Sequence, residues 1–356
     1  MRGVPGTRDV AALPKAHLHL HFTGAMRHGT MLGLADEHGV RLPDVLRSER
    51  PMRFERADER GWFRFQRLYD TARSVLRREA DVRRLVAEVA EDERADGSGW
   101  LEIQVDPSGY AARFGGLTAF TELVLDAVAD ASAATGVGIG VVIGANRTRH
   151  PMDARTLARL AAQHAGDGVV GFGLANDERR GRAEDFAAAF RIARRAGLIS
   201  VPHGGELSGA PSVAACLDHL GADRVGHGVR SAEDPRVLER LASTGVTCEV
   251  CPASNVALGV YRESADVPLR TLLAAGVPVA LGADDPLLFA SRLSDQYQTA
   301  RDVHGQDDSA LAELARMSLR ASRAPEDVRT RLLAGVDAWL AQPVVRASSP
   351  EGPAPA

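Results

Sequence analysis

Eight short strand-like runs, each separated from the next by an amphipathic stretch, constrain this chain more than any other feature. The runs cover 16–22, 100–105, 138–143, 169–174, 198–202, 224–228, 247–251 and 277–281. Between the later ones lie 117–134, 154–164, 183–196, 213–220, 235–243 and 269–275, and 81–95 precedes the second, all with apolar residues at helical spacing. Strand alternating with helix implies a parallel sheet, and eight units fit the roughly 250 residues of an α/β (β/α)8 TIM barrel better than an open doubly wound sheet.

Metal-binding residue types gather at the carboxyl ends of these runs. A strand repeats every two residues, so His19 and His21 can aim both imidazoles at one ion. The fifth run leads into His203 and the eighth into Asp284, giving three imidazoles and one carboxylate, a set that suits a zinc-like ion with an open place for water. His17 shares the strand face of His19 and His21, so spacing alone leaves open which two of the three bind. The first and eighth strands can serve one ion only if the sheet curls round, so the chemistry and the alternation argue for the same closed fold.

Composition excludes several classes. With 356 residues, 45% hydrophobic and 25% charged, the chain is ordinary for a globular protein. Its formal charge of -4 offers no field for a nucleic-acid backbone, and no stretch reaches the roughly 18–20 apolar residues of a membrane helix. Residues 1–12 lack the apolar core of a secretory signal, so a cytoplasmic location is expected, with no nucleic-acid or membrane partner. Cys216, Cys248 and Cys251 form no disulfide framework; Cys248 and Cys251 fall on opposite faces of one strand-like run and are read as buried structural thiols. Residues 1–341 are expected to form a single domain. Its segment at about 25–99 exceeds one crossover and reads as extra helices over the pocket, with Trp62, Phe63, Phe65, Leu68 and Tyr69 at helical spacing. Residues 342–356, rich in Pro, Ser and Ala, are expected to be disordered.

The motifs at 13–25, 203–206 (His-Gly-Gly-Glu), 224–228 (Arg-Val-Gly-His-Gly), 249–255 and 283–286 (Ala-Asp-Asp-Pro) occur in one order at consistent separations. Together they resemble the adenosine deaminase family of the amidohydrolase superfamily, over about residues 13–340. That resemblance implies one zinc ion per subunit on His19, His21, His203 and Asp284. It makes Glu206 the proton donor to purine N1, His227 the group that orients and deprotonates the attacking water, and Asp285 the partner of N7. His21, Thr23, Asn176, Gly205 and Asp285 would line the substrate. Lys15 is the single lysine of the chain, which excludes a lysine-bridged pair of metals.

Two departures from the family pattern bear on substrate. Thr23 stands where the family usually has Asp facing the ribose 5′-hydroxyl, and Asn176 stands where it usually has Gly with its N–H toward purine N3. The implied activity is hydrolytic deamination of a 6-aminopurine nucleoside, a cyclic amidine C–N bond, on adenosine or a 5′-modified adenosine such as aminodeoxyfutalosine. Arg27, Arg64 and Arg67 are candidates for an acidic 5′ group. Free adenine as substrate, and a non-catalytic purine-nucleoside-binding barrel, are the alternatives.

Overall fold

The computed structural model describes residues 7–343, so nearly all of the tail expected to be disordered lies outside the described residues. Eight strands, β1 (Lys15–His21), β2 (Ser98–Val105), β3 (Gly138–Asn146), β4 (Val169–Ala175), β5 (Ile199–Gly204), β6 (Arg224–His227), β7 (Thr247–Val250) and β8 (Val279–Leu281), lie side by side in chain order. All neighbouring pairs are parallel. A parallel bridge between Leu20 and Asp284 joins the first strand to the chain just past the last, with His21 N–H donating to the Asp284 carbonyl at 2.9 Å and Asp284 N–H to that of His19 at 3.0 Å. The sheet thereby becomes a TIM barrel, and each expected run holds one of its strands.

Strands enclosed by helices outside and packed side chains inside read as nearly unbroken apolar sequence, as the fully buried Val141, Val142 and Ile143 of β3 show. The outer helices bury one stripe each; Pro235–Thr244, for example, puts Val237, Leu238 and Leu241 inward. One helix differs from the expectation. The stretch read as 213–220 is an α-helix Ala210–Ala215 that widens into a π turn, Cys216–Leu220, and stops at Gly221 with φ +58°.

Between β1 and β2 run four helices, α1 (His28–Glu37), α2 (Asp44–Arg47), α3 (Glu59–Arg73) and α4 (Glu79–Ala95). Asp58 caps α3 by accepting from Gly61 N–H at 2.7 Å. Trp62, Phe65, Leu68 and Ala72 form its buried stripe, whereas Phe63 is half exposed. Phe65 stacks on Phe289 with ring centroids 5.8 Å apart.

A register irregularity in β1 sets His17 apart from His19 and His21. His17 pairs with Leu101 and Leu20 with Ile103, so three steps on β1 oppose two on β2. Such a bulge re-aims side chains. His17 is directed to α4, where Nδ1 bonds Glu93 at 2.8 Å, while Nε2 accepts the Ala283 N–H at 3.0 Å. With both nitrogens engaged it has no ligand atom to offer.

Candidate active site

His19 and His21 from β1, His203 from β5, His227 from the end of β6 and Asp284 just past β8 converge at the carboxyl end of the barrel. The His19, His21 and His203 rings lie 4.7–5.2 Å apart, centroid to centroid. Asp284 Oδ1 sits 3.2 Å from His21 Nε2 and 3.6 Å from His19 Nε2, and its Oδ2 accepts the hydroxyl of Ser254. Gly226, facing these rings, is obligatory, because a Cβ there would fall 2.7 Å from His203 and 2.9 Å from His19.

These residues fit a divalent ion. Ligand atoms of His19, His21 and His203 lie within 4.8 Å of one another, as do those of His19, His227 and Asp284. His19 Nε2 is buried with no hydrogen-bond partner, a costly arrangement for a polar atom unless a ligand completes it. Its other nitrogen is held by Glu249 at 2.8 Å, the carboxylate support commonly found behind metal-binding histidines. Behind Glu249 a charged chain crosses the barrel interior. Arg224 donates to Glu249 at 2.6 Å and also to Glu102, and Glu102 accepts from Trp100 at 3.0 Å. Every member of that chain is buried.

Electrostatics divides the acids into two kinds. Burial drives the Asp284 carboxyl upward, but His19 and His21 overcome it and hold the group well below the usual range. Glu206 and Asp285 are pushed well above it, first by burial and then by the charge of Asp284. Burial together with the charge of His19 lowers His227 to about 3, so this imidazole is neutral. The Asn255 amide nitrogen lies 3.3 Å from His227 Nδ1 while its oxygen finds no partner. With the amide oxygen turned to the ring instead, Nδ1 would carry the proton and donate to it, and Nε2, 3.5 Å from Glu206 Oε1, would be the free nitrogen.

A cavity of about 380 Å³ opens onto this cluster. His21, His203, Glu206, His227, Asp284, Asp285 and Asn176 line it, with Trp62, Phe63, Phe65 and Tyr69 of α3 above. Thr23 and Gly205 are not among the lining residues. Thr23 is buried and hydrogen-bonded to the Tyr110 hydroxyl; Gly205, at φ +71°, forms the turn after β5. Of the three arginines considered for an acidic group, Arg67 lines the cavity; Arg64 does not, and Arg27 is paired with Asp92 at 2.7 Å outside it. Four non-glycine residues among those described have positive φ, and three of them, Asn176, His227 and Asp284, line this cavity. Strained backbone concentrates at functional sites.

Sequence reasoning missed several supports. Glu178 accepts from the N–H groups of Gly205, Glu206 and Ser208 at 3.0–3.1 Å, fixing the loop that carries Glu206. Gln104 Oε1 lies 3.3 Å from His203 Nε2, and Asn255 and Ser254 hold His227 and Asp284. The last two belong to a quoted motif, and a carboxylate following so closely on Asn176 was a usable signal for Glu178.

A closed (β/α)8 barrel with histidines and an aspartate gathered at the carboxyl ends of strands 1, 5, 6 and 8 defines the class of metal-dependent barrel hydrolases. The family model for adenosine deaminase matches residues 14–339. The chain is 65% identical over 338 residues to a "Putative adenosine/adenine deaminase" of Streptomyces coelicolor, covering 94% of this chain and 98% of the relative. It is 37% identical over 327 residues to an "Adenine deaminase" of Sinorhizobium fredii, covering 92% and 99%. The crystal structure of an adenine deaminase from Arthrobacter aurescens superposes with a TM-score of 0.84 at 30% identity, covering 92% and 99%. The chain belongs to the adenosine deaminase family, hydrolases acting on C–N bonds of cyclic amidines. Among the described residues no helix is long and apolar enough to cross a membrane.

Proposed function

We propose that this protein hydrolytically deaminates a 6-aminopurine, adenine or its nucleoside, to the 6-oxopurine and ammonia. The observation that carries the reading is the placing of Glu206, His227 and Asp285 around one cavity beside the His19, His21, His203 and Asp284 cluster. Those four residues would hold the ion, which we take to be zinc, and when bound it lowers the pKa of water to roughly 7.

The chain's own groups then divide the work. His227, neutral and with Nε2 free, accepts the proton of the water that attacks C6. Attack at C6 disrupts the ring unless N1 gains a proton, and Glu206, kept protonated by burial, donates it. Asp285, also protonated, donates to N7. Asn176, at φ +83°, presents its main-chain N–H toward N3 as a glycine there would. The amino group leaves as ammonia once it has received a proton.

All of these contacts are to the base, and the relatives named above are adenine or adenosine/adenine deaminases. Aminodeoxyfutalosine finds no support among them, and Thr23 is turned to Tyr110 rather than to the cavity. The test is to incubate the zinc-loaded protein with adenine, adenosine and a 5′-substituted adenosine, following the ultraviolet change and ammonia release. Stoichiometric ammonia from adenine or adenosine supports the proposal; none from any of the three refutes it.

A further inference from the structure

Asn176 contributes a side chain as well as a backbone conformation. Its Oδ1 accepts the indole N–H of Trp62 at 3.3 Å, and its Nδ2 donates to Gln66 Oε1 at 3.0 Å. The same Oδ1 takes the N–H of Asp177 at 2.8 Å, which fixes the amide orientation. Trp62 and Gln66 are one turn apart on α3, so a single side chain at the end of β4 grips two successive turns of the helix that roofs the cavity. Arg180, in the loop after β4, adds a contact on the same side, its guanidinium 4.8 Å over the Phe63 ring and 3.8 Å from Glu59, and beyond β8 the Phe65–Phe289 stack holds the opposite side. β4 and β8 stand four strands apart in an eight-stranded barrel and are therefore opposite each other, so α3 spans the mouth between them.

In the proposed pose Asn176 faces N3 and Asp285, beside the helix bearing Phe289, faces N7. N9 is the ring atom between the N3 and N7 sides, on the edge turned away from C6. A helix stretched from Asn176 to Phe289 consequently lies over N9. We infer that the Asn176 side chain is a specificity-determining latch: by pinning Trp62 and Gln66 it holds α3 down over the N9 edge and favours small N9 groups over bulky ones. This inference rests on the 6-aminopurine reading. A glycine at this position would keep the φ and the N–H direction and lose the latch.

The test uses Asn176→Gly in the full, metal-loaded chain, because glycine tolerates φ +83° and leaves the backbone as it is. Two quantities are read, amide hydrogen exchange over residues 59–73 and the ratio of kcat/KM for a bulky 5′-substituted adenosine to that for adenine. Loss of two hydrogen bonds should lower protection of α3 by roughly tenfold and raise the ratio by about as much. Trp62→Phe, which removes the indole donor and keeps a smaller aromatic ring, should move both in the same direction by less. A ratio unchanged within twofold in Asn176→Gly, or unaltered exchange over α3, would overturn the inference. If the wild-type protein deaminates no purine, the functional reading fails on its own, and the exchange data still decide whether Asn176 holds the helix.

Discussion

Replacing Glu249 with Gln tests whether the charged chain beneath the site serves the metal. The substitution keeps shape but puts an amide between two donors, His19 Nδ1–H at 2.8 Å and Arg224 Nε–H at 2.6 Å. A carboxylate accepts from both, whereas an amide has one accepting oxygen and must face the other donor with N–H. Whichever way it settles, a buried charge-assisted hydrogen bond is lost. Losing the support of a metal-binding histidine costs 10–100-fold in affinity, about 1.4–2.8 kcal/mol. Arg224 retains Glu102 and the Ala321 carbonyl at 2.9 Å, so the penalty to the fold should stay near the low end for a broken buried pair, about 3 kcal/mol. Zinc affinity would be measured by competition with a chromophoric chelator, and stability by urea unfolding of the stripped protein. A zinc Kd within threefold of wild type would refute the idea that Glu249 orients His19, even if the unfolding midpoint falls.

Further expectations follow from the same geometry. Gly24→Ala places a Cβ 1.8 Å from Asp285 Oδ1 and 2.7 Å from the Asp285 Cα, so kcat/KM should drop at least about 100-fold with bound metal retained; near-normal activity would remove Asp285 from the mechanism. Glu206→Gln keeps size but cannot give up a proton, and should cost about 10²–10⁴ in kcat, while a loss under tenfold would move the N1 donor elsewhere. Lys15 is buried, with Nζ on the carbonyls of Val10 and Leu13, and burial lowers it from 10.5 to about 8. The unfolded chain therefore binds the extra proton between these values, and stability attributable to Lys15 should rise by about 3 kcal/mol as pH goes from 8 to 10.5. Urea unfolding of wild type against Lys15→Met across that range measures it, and parallel curves would contradict the buried cation.

The order and number of elements were legible because burial on two faces leaves a strand no choice but apolar residues, as in β3. The cluster was legible because its residues sit in motifs with few alternative uses. What stayed hidden depended on contacts between distant segments. No pattern in 15–21 reveals a bulge, so His17 could not be told from its neighbours until β1 was seen against β2. Arg224 and Glu249 each looked like a motif residue; that they meet follows from the register pairing Gly226 with Glu249, which only the folded sheet supplies. Thr23 drew attention as a departure from the family pattern, yet its partner, Tyr110, lies 87 residues away.

The seam that closes the barrel sets a condition on biosynthesis. Asp284 lies 265 residues beyond His19, and its main chain makes the bonds that join the two ends of the sheet. A nascent chain lacking that segment carries His19, His21 and His203 without the carboxylate and leaves β1 as an edge strand, a weaker and open set of candidate ligands. The four candidate ligands come together only once the chain as far as Asp284 has emerged and the seam has formed, so capture of an ion by all four would follow closure of the cylinder and report it.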